Sequence, residues 1–474
     1  MKFTVEVKAL GRINEAKIKF SPLTVIAGCN NSGKSFISKS LYTFINAMNQ
    51  DHVGTTLTNA INSADYFLTK CTSFVKRPGA KDHIFFGNAG HHLNEIQVEF
   101  KKWQNECDFL SESPITLLQA VDGLAKTVQA YQNAHGDKIH NKYDSEFDSF
   151  RKAVNDLKIF VSKPIDVISN GLSQAFATGL MYNFQVSALS SLRNKKSTND
   201  TVGFHLEGIG PISIQKDGSV NFKLNTNGIK ELQKFSRVIY LESPIYWKLA
   251  QPLQGISQSS NWLFRKGKNS HLTGVPQYFL DLMSLLKIRG VGENQFKDVL
   301  EKIKIALEGE VRLNEGGELE YLDKDGQAHS LHLTALGVSN LGMLGLLLER
   351  QLIDPGTFLF IDEPEAHLHP CWQVLLLEIL YELSKRGVNV VMATHSIDMM
   401  KYLEVLQSEE IDFDDKVSVN HLDTDDNSGI TCSSFNLTNR ETINNVIESL
   451  SSPYMGLFSR GNKSFFQGLS KDEA

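Results

Sequence analysis

The chain has 474 residues, with 48 Lys plus Arg against 54 Asp plus Glu and a formal charge of −6, which excludes a protein that coats nucleic acid by bulk charge. At about 150 residues per domain the length allows two to three domains, and 41% hydrophobic with 22% charged residues exclude wholesale disorder. No run reaches the roughly 18 apolar residues that cross a bilayer, residues 1–10 lack a secretory pattern, and Cys29, Cys71, Cys107, Cys371 and Cys432 form no CxxC pair, so the expectation is a cytoplasmic chain of reduced thiols with no membrane partner.

Residues 2–8 and 16–20 alternate as two strands joined by a turn at Gly11, and 23–27 is a short apolar run expected to be a buried strand. Directly after it, Gly28-Cys29-Asn30-Asn31-Ser32-Gly33-Lys34-Ser35 fits G-x-x-x-x-G-K-[ST], and Phe36 to Met48 reads as a helix. In such a loop the glycines let the backbone wrap round phosphates, Lys34 reaches the β and γ phosphates, and Ser35 can ligate magnesium. The alternative is a chance loop, and the strand before it and helix after it favour phosphate binding.

Residues 50–190 pattern as mostly helical, as in 114–135 and 145–161, with turn signals at His135-Gly136 and Lys163-Pro164. Strands follow at 202–206, within 212–224 around Asp217-Gly218, and at 237–241. A helix over 294–307 precedes strands within 309–333 that turn near Gly316-Gly317 and Asp325-Gly326. The order is then helix 338–352, strand 357–361, helix 370–386, strand 388–393, helix 396–406, strand 416–422 and helix 439–450, with a polar tail over 459–474. That alternation implies a parallel sheet covered by helices.

Two strand ends carry further chemistry. The run Phe358 to Ile361 ends in Asp362-Glu363, where one carboxylate can hold magnesium and the other can orient or deprotonate water; alone, the pair would also suit a strand capped by solvated acids. The run Val390 to Thr394 ends in His395, placed to reach a terminal phosphate or to serve as an ordinary structural histidine. Lys34 and Asp362 are too far apart in sequence for a compact phosphate-loop domain, so a large insertion divides the sheet.

This order of phosphate loop, long insertion, Leu336-Gly337-Val338-Ser339-Asn340, Asp362-Glu363-Pro364-Glu365-Ala366-His367-Leu368-His369-Pro370 and Thr394-His395-Ser396 resembles the ABC-type ATPase heads of SMC-like and overcoming-lysogenisation-defect (OLD) proteins. It looks most like the stand-alone subunits of bacterial anti-phage defence, of PARIS or Septu type. The resemblance covers roughly 1–50 and 325–405. It implies an α/β fold, a P-loop NTPase head of ABC type with a mixed β-sheet and a large helical insertion: 1–50 would open the head, 51–200 form a helical lobe, 201–333 a β-rich segment, and 334–474 close the head.

The resemblance further implies ATP and Mg2+ as cofactors, held by Gly28, Asn30, Asn31, Ser32, Gly33, Lys34, Ser35 and Phe36. It makes Asp362 with Ser35 the magnesium ligands, Glu363 the catalytic carboxylate, and His395 the switch histidine. Leu368-His369 would lie at the D-loop, which also accounts for His367 and His369 better than a metal site does. Gln185 is the candidate Q-loop glutamine bridging magnesium and water, against an ordinary surface amide. The signature segment surrounds Gly337, where Leu336 replaces a usual serine and Thr334 or Ser339 is left to supply the hydroxyl. Nucleotide would lie between two copies, so a homodimer or higher homo-oligomer is expected.

The expected function is an ATPase that regulates a separate effector, a nuclease, with nucleic acid or a phage protein as trigger. The alternative is a repair or recombination ATPase that clamps DNA in an ATP-gated dimer. The acids Asp412, Asp414, Asp415, Asp423, Asp425 and Asp426 read as loops flanking a strand, and the basic clusters 193–196 and 265–268 as short solvated loops.

Overall fold

The computed structural model describes residues 2–75, 78–106, 113–135, 144–223, 225, 236–242, 274–425, 429–432 and 434–469. The cluster 265–268, Cys107, Gly136 and Asp426 lie outside the described residues. The chain divides into two compact units, one of residues 1–49 with 176–474, the other of residues 50–175.

In the first unit, β1 (Phe3–Leu10) and β2 (Ile13–Phe20) form an antiparallel hairpin. β3 (Leu23–Ala27) is buried at every position and leads through the loop 28–33 into α1 (Lys34–Met48). The other unit holds α2 (His52–Phe74), α3 (Ala80–Glu106), α4 (Ile115–His135) and α5 (Asp144–Ser162). Its core is built from helix-spaced side chains such as Leu57, Ala64, Leu93, Ile96, Leu124, Phe150 and Leu157, the stripe an amphipathic helix buries against its neighbours. The boundary between the units falls within α6 (Pro164–Phe184).

The first unit continues with β4 (Val202–Leu206), β5 (Gly210–Ile214), β6 (Val220–Phe222), β7 (Val238–Leu241), α7 (Gln277–Leu285) and α8 (Lys297–Leu307). β8 (Gly309–Leu313), β9 (Leu319–Asp323) and β10 (Ala328–Ser330) make a separate antiparallel sheet. Then follow α9 (Leu336–Glu349), β11 (Phe358–Asp362), α10 (Pro370–Lys385), β12 (Asn389–Thr394), α11 (Ile397–Glu409), α12 (Phe413–Lys416), β13 (Val417–Asp425), β14 (Gly429–Cys432) and α13 (Asn439–Leu469).

Among the described residues the main sheet has eleven strands in the order β6-β5-β4-β1-β2-β14-β13-β3-β12-β11-β7. From β13 to β7 neighbouring strands run parallel, with Ala27 level with Thr394 and Ile361 level with Met392 and Leu241. β3, β11 and β12 are buried along their whole length, which is why they read as continuous apolar runs without alternation. Insertion of β12 between β3 and β11 brings the ends of the Lys34, Asp362 and His395 strands to one sheet edge. The architecture is therefore the expected α/β P-loop NTPase fold with a mixed sheet and helical insertion.

Three local readings differ from the structure. Asp414 and Asp415 lie in α12, and Asp423 and Asp425 in β13, which runs further than the apolar pattern suggested. β14 was not anticipated; it pairs antiparallel with β13 and parallel with β2, so it joins the two halves of the sheet with only four residues. The last helix continues through Pro453 to Leu469 rather than stopping near residue 450. The described cysteines Cys29, Cys71, Cys371 and Cys432 are free thiols.

Candidate functional site

The loop after β3 is shaped by close packing. Gly28, with φ of 155°, lies where a Cβ would collide with the carbonyl oxygen of Leu422 in β13, and Gly33, with φ of 85°, lies where one would come within 2.8 Å of Ile13 in β2. Both neighbours explain the glycines, and Asn31 also takes a positive φ, of 66°. Gly33 caps α1 with no side-chain hydrogen bond, and the first turn of α1 carries no acid. Its N–H groups and the helix dipole are therefore free for an anion.

Lys34 is 4% exposed, and its Nζ donates to the carbonyls of Gly28 at 2.9 Å and Cys29 at 2.8 Å. Burial holds its pKa below the usual value, against the pull of Glu365, Glu363 and Asp362. A buried ammonium bound only to neutral carbonyls is poised to exchange them for an anion.

Asp362, at the end of β11, is 2% exposed. Its Oδ2 accepts from the Tyr240 hydroxyl at 3.0 Å, Tyr240 pairs with Ser38 at 3.0 Å, and its Oδ1 is buried without a hydrogen-bond partner. Burial pushes its pKa up to about 6, and Glu242 adds to the rise, while the Ser35 hydroxyl, Lys39 and Tyr240 oppose it. An orphaned carboxylate oxygen beside a serine hydroxyl is the hard-oxygen donor set a magnesium ion takes, so the residues present fit that metal. The cradle of backbone N–H groups and Lys34 fits the phosphates that would share it.

Glu363 is exposed and has φ of 51°, unusual for a side chain of this kind. Its amide donates to Ala393 at 2.9 Å and its carbonyl accepts from Ala366 at 3.0 Å, so the turn is pinned while the carboxylate faces outward. The turn continues through His367, with φ of 64°, to His369, whose ring caps α10 by accepting from Cys371 N at 3.3 Å.

His395 lies just beyond β12 and is 37% exposed. Its amide donates to Glu365 Oε1 at 2.6 Å, and its Nδ1 is 2.8 Å from the same oxygen. The Glu365 contact raises the imidazole pKa, with burial and Lys34 opposing it. Glu365 is 7% exposed; burial raises its pKa, but the bonds from His395 outweigh that and leave it below the usual value.

Gly337 lies in the first turn of α9, where a Cβ would come within 2.7 Å of the His367 carbonyl, and Asn340 Nδ2 donates to the Pro364 carbonyl at 3.0 Å. The two candidate hydroxyls near it differ. Ser339 is fully buried and donates to Ala335 O at 3.4 Å, while Thr334 is half-buried and donates to Leu331 O at 2.8 Å. Only Thr334 retains a solvent-facing surface.

Gln185, with φ of 52°, follows α6, and the rings of Phe36 and Phe184 meet at 5.1 Å, so this turn lies beside the start of α1. Its amide nitrogen donates to Tyr182 O at 2.6 Å and Val275 O at 3.1 Å, and its Oε1 accepts from Gly274 N at 2.8 Å. Both ends of the amide are engaged with backbone rather than with Ser35 or Asp362. The side chain set beside Asp362 is instead Glu242, which binds Lys39 at 2.7 Å and accepts from the Tyr278 hydroxyl.

Sequence reasoning missed Glu242, Lys39, Tyr240 and Glu365. A signal existed for Glu365, the second acid of the Asp-Glu-Pro-Glu turn; none existed for Glu242, which needs the strand order to place it.

Residues 264–399 match the family model described as "AAA domain, putative AbiEii toxin, Type IV TA system". No curated protein matches the chain. Among solved structures the chain is similar to an SMC head bound to the C-winged helix domain of ScpA, at 12% identity over 91% of this chain and 96% of that one, with a TM-score of 0.38. It is similar to the SMC head domain from Thermotoga maritima, at 12% identity over 91% and 98%, with a TM-score of 0.33. It is also similar to an Smc head with an extended coiled coil bound to the C-terminal domain of ScpA, from Pyrococcus furiosus, at 13% identity over 95% and 99%, with a TM-score of 0.33. The P-loop fold itself is carried by the strand order β13-β3-β12-β11-β7 and the loop that follows β3.

Proposed function

We propose that the chain is an ABC-type ATPase that binds ATP with Mg2+ at Gly28 to Phe36, hydrolyses it at a site completed by a second copy, and thereby controls a separate nuclease effector in anti-phage defence. The observation that carries the catalytic part is the meeting, at one sheet edge, of the uncapped start of α1, Lys34, the orphaned Oδ1 of Asp362 and the outward-facing Glu363.

Bound ATP supplies the bond to be cleaved and Mg2+ offsets its charge. The backbone of Asn30, Asn31, Ser32 and Gly33 holds the phosphates, and Lys34 leaves the Gly28 and Cys29 carbonyls for phosphate oxygens. Ser35 and Asp362 hold the metal; for Gln185 to join them, its bonds to 274–275 have to open. Glu363 orients and deprotonates the attacking water, and His395 contacts the terminal phosphate.

The second copy is supported by the start of α9, which has no side-chain cap and no acid in its first turn, next to Leu333 at 83% exposure. An apolar side chain so exposed beside free helix N–H groups suits a face that meets another protein. The defence setting, though not the separate effector, is supported by the matched family description, which names a toxin and a type IV TA system. Among the described residues no helix is long and apolar enough to cross a membrane.

Phosphate release by the parent, by Lys34→Ala and by Glu363→Gln, together with capture of chains co-expressed from the native operon, tests this reading. A captured nuclease whose activity follows ATP supports it. ATP-gated retention of DNA with no second chain would replace it with the DNA-clamp reading.

A further inference from the structure

We propose that Glu365 is the positioning residue of His395, its buried carboxylate gripping both the ring and the backbone so that the opposite ring nitrogen, Nε2, becomes a fixed hydrogen-bond donor to the terminal phosphate of a nucleoside triphosphate. The identity of that ligand rests on the ATP reading above, whereas the Glu365–His395 pair itself does not.

One oxygen, Glu365 Oε1, accepts a hydrogen bond from the His395 amide at 2.6 Å and makes an ion-pair contact with its Nδ1 at 2.8 Å. The backbone on either side is also fixed. Ser396 N donates to Thr394 Oγ1 at 3.0 Å, the Ser396 hydroxyl caps α11 through Met399 N and donates to Gln373 Oε1 at 2.6 Å, and Gln373 Nε2 donates to Leu368 O at 3.0 Å. The backbone that carries the ring therefore cannot shift without breaking a chain of bonds running back to the turn after β11.

Burial divides the ring. Nδ1 is enclosed, as is Glu365 Oε2, yet the side chain is 37% exposed, so its open surface lies away from Nδ1. The charged groups that face the ring are Glu365 and Glu363 from the turn after β11 and Lys34 from α1. The two acids favour the imidazolium and Lys34 opposes it, with the Glu365 contact dominant.

The consequence is chemical. Phosphate oxygens only accept hydrogen bonds. A neutral imidazole that gives its proton to Glu365 through Nδ1 leaves Nε2 an acceptor, and two acceptors repel. An imidazolium donates at both nitrogens. Glu365 thus decides whether His395 attracts or repels the group that distinguishes ATP from ADP.

The test uses the full chain and Glu365→Gln, which keeps the shape and an acceptor for the His395 amide but removes the charge. In nucleotide-free protein, the ring resonance of His395, assigned by its absence in His395→Asn, is titrated with pH. The expected midpoint lies above the ordinary 6.5 in the parent and falls in Glu365→Gln. Competition with a fluorescent nucleotide at neutral pH, with Mg2+, should show ATP affinity reduced about tenfold and ADP affinity unchanged.

Equal midpoints in parent and variant, or equal loss of ATP and ADP affinity, would overturn the proposal. Should Glu365→Gln not fold, His395→Gln must reproduce the selective loss of ATP affinity, and an equal loss of both nucleotides overturns it there. A parent that binds neither nucleotide refutes the ATP reading, and the titration then decides the Glu365–His395 pair by itself.

Discussion

Replacing Asp362 by Asn should make the nucleotide-free protein more stable while ending its metal-dependent activity. The carboxylate is 2% exposed, one oxygen has no partner, and burial raises its pKa from an ordinary 3.8 to about 6. Because the folded-state value is raised, the native chain holds more protons than the unfolded chain between about pH 4 and pH 6. Its stability therefore falls as pH rises through that window. A rise of about two units corresponds to about 3 kcal/mol lost above pH 6. Asn keeps an acceptor for the Tyr240 hydroxyl and carries no charge to desolvate. Urea unfolding in EDTA at pH 7.5 should show the variant more stable by about 2–3 kcal/mol, with the gain shrinking towards pH 4. A variant equally or less stable than the parent at pH 7.5 would refute the claim that Asp362 is an uncompensated buried charge awaiting a cation.

Lys34→Ala should remove ATP binding, measured by calorimetry, whereas Glu363→Gln should bind ATP and release phosphate about 100-fold or more slowly in single-turnover assays. Tyr240→Phe takes away the bond to Asp362 Oδ2 and should cost about 1–3 kcal/mol in urea unfolding while raising the Mg2+ concentration needed for half-maximal turnover. Gly28→Ala forces the Leu422 carbonyl aside and should weaken nucleotide binding as measured by fluorescence titration. Phe150→Ala, in the core of the helical unit, should lower that unit's stability by about 3–5 kcal/mol in thermal unfolding and leave ATP binding in place.

The sequence was most legible where one physical cause dominated. Leu23–Ala27, Phe358–Asp362 and Asn389–Thr394 are parallel strands buried on both faces, so their apolar runs stood out, and the chemistry follows at their ends. Gly28, Gly33 and Lys34 were readable because close packing and anion binding both limit the residues that fit. Long-range pairings left weaker traces. β14 is only four residues long, and its place between β13 and β2 comes from the sheet, not from local pattern. The last helix, expected over 439–450, continues past Pro453 to Leu469. Glu242 lies more than a hundred residues before Asp362 in sequence, and only the pairing of β7 with β11 puts the two carboxylates side by side. The magnesium role expected of Gln185 came from the family resemblance, whereas its amide is held by the backbone of residues 182 and 274–275.

The central claim, a catalytic site shared between two copies, is tested most directly by the solution mass of Glu363→Gln from light scattering, with and without ATP and Mg2+. The account predicts at least a doubling of mass when both are present, reversed by Lys34→Ala in the same chain. A protein that keeps one mass under all these conditions, and whose parent hydrolyses ATP as a monomer at full rate on dilution, would contradict it.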